Sequence, residues 1–379
     1  MERRGFLRAA VVGAGSVALG FSVTRQSLAY PAKTGPSPYG ALGAADANGI
    51  MLPQGFTSRV IARSTQQVAG YTWHTAPDGG ACFADGAGWI YVSNSEASSG
   101  TGGVSAVRFD SGGNITSAYR ILSGTTRNCA GGATPWNTWI SCEETDTGYC
   151  WETDPWGTRA AVRRPAMGRF THEAAACDPV RKVVYLTEDK SDGGFYRFVP
   201  ATWGDLSAGT LQVLNNDLTW ATVPDPDGSP TTTRRQVSGM KVFNGGEGAY
   251  YRNDRCYFTT KGDNKVWAYN AATGALDVVY DDNLTSNPPL TGVDNITGDV
   301  HVGDLFVAED GGNMEICVIT PSDVVAPFLR VTGQSGSELC GVAFNPAGTR
   351  LYFSSQRGTT GTSSGGITYE VTGPFRTSL

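Results

Sequence analysis

Charge is scarce in this chain. Asp, Glu, Lys and Arg make up 17% of its 379 residues, against about a quarter in an ordinary soluble domain. Histidine is scarcer still, with only His74, His172 and His301. The eight cysteines show no paired C-x-x-C spacing, so with so few imidazoles the common zinc frameworks are excluded. There is no G-x-S-x-G elbow and no Walker loop, and His172-Glu173 is followed by three alanines rather than by the second histidine of an H-E-x-x-H helix. These absences remove a hydrolase elbow, a zincin centre and a P-loop. Amphipathic helical stretches are almost missing, which excludes a helical bundle or a βα-repeat fold. The one long apolar run, Ala9 to Phe21, is too short and glycine-rich to span a bilayer well.

What the chain has instead is glycine, 50 residues of it, with many Thr, Tyr and Trp. Turn formers between β-branched and aromatic runs indicate an all-β protein. At the N-terminus, Arg3-Arg4-Gly5-Phe6-Leu7-Arg8 precedes the apolar run and the small-residue site Ser27-Leu28-Ala29 follows it. Residues 1–29 read as a signal for the twin-arginine translocation machinery, which predicts a periplasmic or secreted mature protein with no membrane segment. Such cargo crosses already folded, which accords with a metal loaded beforehand. Cleavage after Ala29 removes Arg3, Arg4, Arg8, Arg25 and Glu2 and takes the formal charge from −6 to −9. An acidic protein of this kind is a poor match for nucleic acid and a good one for cations. Residues 30–55, rich in Pro, Gly and Ala, read as a lead-in, and 56–379 as a single domain, expected to be monomeric.

Within that domain a short aromatic strand ending in polar or acidic residues recurs. It begins at Gly88, Thr138, Val183, Cys256, Leu305 and Leu351, with one long interval that holds a Pro/Asp/Gly/Thr-rich insertion at 220–235. A period of about 40–50 residues with several strands per unit is the mark of a β-propeller, here of six blades. A further strand precedes most of these units and opens with an acid: Glu173, Glu247, Asp294 or Glu338, ten to fourteen residues before the next aromatic. In a propeller the innermost strand of each blade lines the central channel. Four such acids would meet near the axis and repel one another unless a cation lay between them. Oxygen ligands from several directions suit Ca²⁺, or Fe³⁺ or Mn²⁺ in a tighter site. Cys142-Glu143-Glu144, at the end of the Trp139 strand, adds a thiol beside two carboxylates. By itself Cys142 is more often a buried thiol; with two adjacent acids and a signal for prefolded cargo, ligand and buried thiol are equally supported, while Cys177, Cys256, Cys317 and Cys340 stand in apolar contexts and read as core.

Several blocks resemble the PhoX-type alkaline phosphatases: Asn128-Cys129-Ala130-Gly131-Gly132-Ala133-Thr134-Pro135-Trp136 with Ser141-Cys142-Glu143-Glu144, then Gly168 to Ala175, Tyr185 to Asp189, Asp294-Asn295-Ile296, Ala308 to Gly311, and Ser337 to Gly341. The resemblance implies an exported propeller that hydrolyses small phosphate esters at an axial site holding Ca²⁺ and Fe³⁺. It implies Cys142 as the thiolate ligand of iron, with Glu173, Glu247, Asp294 and Glu338 as carboxylate ligands and Glu143 as a further one. No side chain attacks in the mechanism it implies; a metal-bridging oxide or hydroxide does. Where large members carry Arg-Pro-Glu, this chain has Gly245-Gly246-Glu247, and Asn94-Ser95-Glu96 replaces an Asn-His-Glu block. Asn94, Lys261 and Arg357 are therefore the candidates for holding substrate. Two other readings fit the same residues: a Ca²⁺-dependent lactonase using Asn94, Asn295 and Glu173, and a non-catalytic binding propeller stabilised by metal.

Overall fold

The computed structural model describes residues 31–378, so the export signal expected at 1–29 lies outside the described residues. Regular structure there is strand, broken only by single 3-10 turns such as Pro165–Met167. The strands form six antiparallel blades in chain order, with a small hairpin at 67–72 beside them. The innermost strands are Pro77–Asp85, Asn128–Ala133, His172–Asp178, Gly246–Arg252, Val293–Gly298 and Leu339–Phe344. The second strands are Gly88–Ser95, Trp139–Glu143, Val183–Glu188, Arg255–Thr260, Leu305–Glu309 and Arg350–Ser355.

Each innermost strand touches that of the next blade, and blade six touches blade one, so the ring is closed. Six hydrophobic clusters fill the six seams between blades. This explains why the second strands are the loudest part of the sequence. A second strand is hydrogen-bonded on both edges and covered by neighbouring blades on both faces, so Trp89-Ile90-Tyr91-Val92 is buried throughout and reads as an apolar run rather than an alternation.

Closure joins the chain ends. Thr57–Arg63 pairs with Ile367–Thr372 as the outermost strand of blade six. The lead-in is not detached from the ring. Lys33–Thr34 and Ile50–Met51 both pair with the outer strand of blade five, and Tyr39 packs edge-on against Phe56 and Phe328. The insertion after blade three supplies a fifth strand, Trp220–Thr222, then a loop back to the blade. Among the described residues no helix is long and apolar enough to cross a membrane.

The axis is narrow because small residues line it. A Cβ on Gly79 would stand 2.5 Å from the Cα of Ala130 in the next blade, and one on Gly248 would stand 2.7 Å from the Cα of Asn295. Only glycine lets these innermost strands approach so closely. The side chains at their ends are thereby brought together.

Candidate metal centre

Each innermost strand carries a bulge at the same place. Pro77 pairs with Ser95 and Gly80 with Ser93, leaving two residues opposite one; the same slip follows Asn128, His172, Gly246, Val293 and Cys340. A bulge re-aims the side chains it carries. In five blades the residue just inside it is Asp78, Cys129, Glu173, Glu247 or Asp294. In blade six the equivalent position is Gly341, and Glu338 approaches from before the strand. A second tier comes from the residues just past the second strands: Glu96, Glu144, Asp189, Lys261, Asp310 and Arg357.

The two tiers converge. Cys129, Glu144 and Glu173 offer ligand atoms within 4.8 Å of one another, and so do Glu173, Glu247 and Asp294; Asp294, Asp310 and Glu338; and Asp78, Glu96 and Glu338. Glu173 belongs to two of these groups. Its side chain is fully buried and neither carboxylate oxygen has a hydrogen-bond partner. Burial and the charges of Glu247, Glu144, Asp294 and Asp78 hold its carboxyl well above the usual range. Burial, then Glu96, pushes Glu144 up to about 8, and burial pushes Asp294 up to about 6 despite nearby Lys261. Lys261 Nζ lies 2.9 Å from Glu247 Oε1, without the angle of a hydrogen bond. A buried carboxylate with no donor is costly unless a cation meets it. This donor set fits the expected ions: carboxylate oxygens suit Ca²⁺, and one thiolate among them suits iron. Directly behind the ring lies a cavity of about 390 Å³ lined by small residues that include Ala130, Ala174 and Gly248.

Four of the residues expected to bind metal, Glu173, Glu247, Asp294 and Glu338, are brought together here. Cys142 is not. It stands one residue before the last paired position of its strand, as Asn94, Thr187 and Thr259 do in theirs, and this position faces the neighbouring blade. Thr187 and Thr259 use it to donate to the backbone oxygens of Glu247 and Asp294, each at 2.5 Å. Cys142 fills the seam between blades two and three, with its Sγ 3.8 Å from that of Cys150 and among Ile140, Phe170 and Leu186. The thiol that meets the carboxylates is Cys129. Glu143 also points away from the axis. It accepts from the Thr126 and Tyr149 backbone N–H groups and from the Trp151 indole, so the carboxylate that reaches the ring is its neighbour Glu144. Successive side chains along a strand take opposite faces, which is the whole difference between them.

Asn94 has no polar atom to spare for substrate. Its amide donates to Cys129 O and Ala130 O, at 2.9 and 2.7 Å, and accepts from the Trp139 indole and the Ser141 hydroxyl. It fixes the backbone that carries Cys129. Lys261 and Arg357 do stand at the mouth of the ring, sharing Asp310 between them at 3.2 and 3.8 Å. Asp78, Glu96, Cys129, Glu144 and Asp310 also reach the ring and are not among the ligands that the resemblance implies. A signal for two of them existed: the spacing that selects Glu173 before Tyr185 also selects Cys129 before Trp139 and Asp78 before Tyr91.

The family model of the alkaline phosphatase PhoX matches residues 98–241, a span that contains Cys129, Glu144 and Glu173. The resemblance to PhoX-type proteins is borne out. Among solved structures, Pseudomonas fluorescens PhoX, in complex with the transition state analogue vanadate, is similar at 18% identity and a TM-score of 0.70, covering 90% of this chain and 98% of that one. A gluconolactonase from Xanthomonas campestris is similar at 13% and 0.50, over 89% of this chain and 99% of its own. The PQQ domain of pyranose dehydrogenase from Coprinopsis cinerea is similar at 12% and 0.52, over 86% and 98%. At such identities the likeness is one of fold. No curated protein matches the chain.

Proposed function

We propose that this chain is an exported, metal-dependent hydrolase of small phosphate esters whose axial ring holds Ca²⁺ and Fe³⁺. The observation that carries the reading is Glu173, buried with both oxygens free at the junction of two carboxylate groups, one of which includes the Cys129 thiol. The PhoX family match over this part of the chain and the fold shared with Pseudomonas PhoX support the choice of phosphate esters over other substrates.

Cys129, Glu144, Glu173, Glu247 and Asp294 would hold the ions. Bound there, such cations supply concentrated positive charge to a phosphoryl group and its attacking water. The chain's own part is to bind and orient. Lys261 and Arg357, partly exposed at the mouth, would attract the ester's phosphoryl oxygens, each leaving the Asp310 carboxylate to do so. Asn94 holds the Cys129 backbone in place, and Asn295 orients Asp294 by donating to its Oδ1 at 2.7 Å. The tight packing of the innermost strands keeps the ring from spreading. Export rests on Arg3-Arg4 and the cleavage site after Ala29, and places the mature monomer in the periplasm or outside the cell.

The lactonase reading is weaker, because Asn94 is saturated by its protein partners and Asn295 is engaged by Asp294 and the Gly341 N–H. Elemental analysis of exported protein, together with hydrolysis of p-nitrophenyl phosphate before and after chelation, tests the proposal. Bound calcium and iron with chelator-sensitive turnover are expected. Bound metal with no turnover of any phosphate ester, but turnover of lactones, would overturn it.

A further inference from the structure

The acids of the ring are not equivalent. Glu173 has no donor on either oxygen. In the corner formed by blades six and one, where Asp78, Glu96 and Glu338 meet, every carboxylate already has one. The Gln356 amide, itself only 2% exposed, donates to Asp78 Oδ2 at 2.6 Å and to Glu96 Oε2 at 2.8 Å. Asp78 Oδ1 accepts from the Gly79 N–H, Glu96 Oε1 from Arg127, and Glu338 Oε2 from Arg357. The amide's orientation follows from chemistry: Arg357 Nη1 lies 2.6 Å from Gln356 Oε1, and a guanidinium can only donate while the two carboxylates can only accept.

We infer that Gln356 is an internal stopper. Its amide stands where a cation would join Asp78 to Glu96, so the ring takes its ions on the side of blades two to five and leaves this corner free of metal. Gln356 and Arg357 act as a pair, the guanidinium fixing the amide while it neutralises Glu338. The sequence carries the device as consecutive residues just past the second strand of blade six, at the tier where blades one and two present Glu96 and Glu144. This inference rests on the axial metal reading above and adds to it which acids the ions do not use.

The test is the number of metal ions per chain, measured by elemental analysis of full-length mature protein loaded with calcium and ferric iron and then desalted. Glu173→Gln is expected to lower the count, and Asp78→Asn to leave it unchanged. Gln356→Glu replaces a donor by a fourth carboxylate beside Asp78, Glu96 and Glu338 and is expected to bind about one further calcium ion per chain, since acids so crowded cannot all stay ionised without a cation. A fall in the count with Asp78→Asn would overturn the inference, as would an unchanged count with folded Gln356→Glu. If Gln356→Glu does not fold, Asp78→Asn alone decides. Wild-type protein that binds no metal at all would instead sink the axial metal reading, a result distinguishable from either of these.

Discussion

Cys129 and Cys142 belong to one hairpin of blade two, flanking the pair Asn128–Glu143, yet they live in different chemistry. Cys129 sits inside the bulge and shares a small volume with Glu144 and Glu173. Cys142 lies on the straight part of the facing strand, in an apolar seam beside Cys150. Burial raises both thiols well above their ordinary value, but around Cys129 the next causes are the carboxylates Asp78 and Glu173, and around Cys142 the neighbouring thiol. A thiol among acids can become a thiolate only with a cation, whereas a thiol among methyl groups has no reason to ionise. Position relative to a bulge, more than composition of the neighbourhood in sequence, separates the thiol of the acidic ring from the thiol of the core.

The largest effect expected is on the ligand side. Cys129→Ser and Glu173→Gln should each reduce bound metal and phosphate-ester turnover by more than the roughly 10–100-fold that loss of a mere supporting partner costs at a metal site. Elemental analysis and turnover on the same preparations provide the check. Full metal content and activity in Cys129→Ser would erase the distinction between the two thiols.

A second effect separates the metal-free from the metal-loaded ring. Without metal, Glu144 is pushed up to about 8 and Asp294 to about 6, so over this range the folded chain binds more protons than the unfolded one. Stability then falls as pH rises from the ordinary carboxylate range through these values. Bound cations reverse the sign, because ligands must lose protons to bind and acid displaces the metal. The melting temperature of chelated protein should therefore drop between about pH 4 and pH 8, while that of loaded protein rises across the acidic part. Parallel curves would mean that the ring does not exchange protons for metal.

The fold was legible because six seams impose six similar apolar second strands, and Trp89, Trp139, Tyr185, Tyr257, Phe306 and Tyr352 mark them at near-regular spacing. Four ring acids were legible for the same reason. Cys129 and Asp78 obey the same spacing, but Cys129 is a thiol rather than an acid and the acidic run Glu143-Glu144 after Trp139 is the stronger local signal, while Asp78 precedes a strand that ends in Asn94-Ser95-Glu96. Glu143 and Glu144 are adjacent in sequence, and only the pairing register tells which one faces the axis. Gln356 could not have been read at all: its role depends on Asp78 and Glu96, brought to it across the ring's closing seam.

The smaller effects lie on the structural side. Cys142→Ser places a hydroxyl among Ile140, Phe170 and Leu186. It should destabilise the protein by about 1–3 kcal/mol, with metal count and turnover per folded molecule unchanged. Glu143→Gln should cost less, about 0.5–1.5 kcal/mol, because the amide's single oxygen can keep some of the three donors that now converge on the carboxylate. Glu144→Gln, one residue on, should do the opposite, lowering metal content while barely touching the fold, since it removes a partly buried charge that only a cation or Arg127 offsets. Denaturant unfolding and metal content measured on this adjacent pair give the sharpest reading of the comparison. If Glu143→Gln lost metal and Glu144→Gln did not, the register that assigns the axis to Glu144 would be wrong, and with it the case for Cys129 over Cys142.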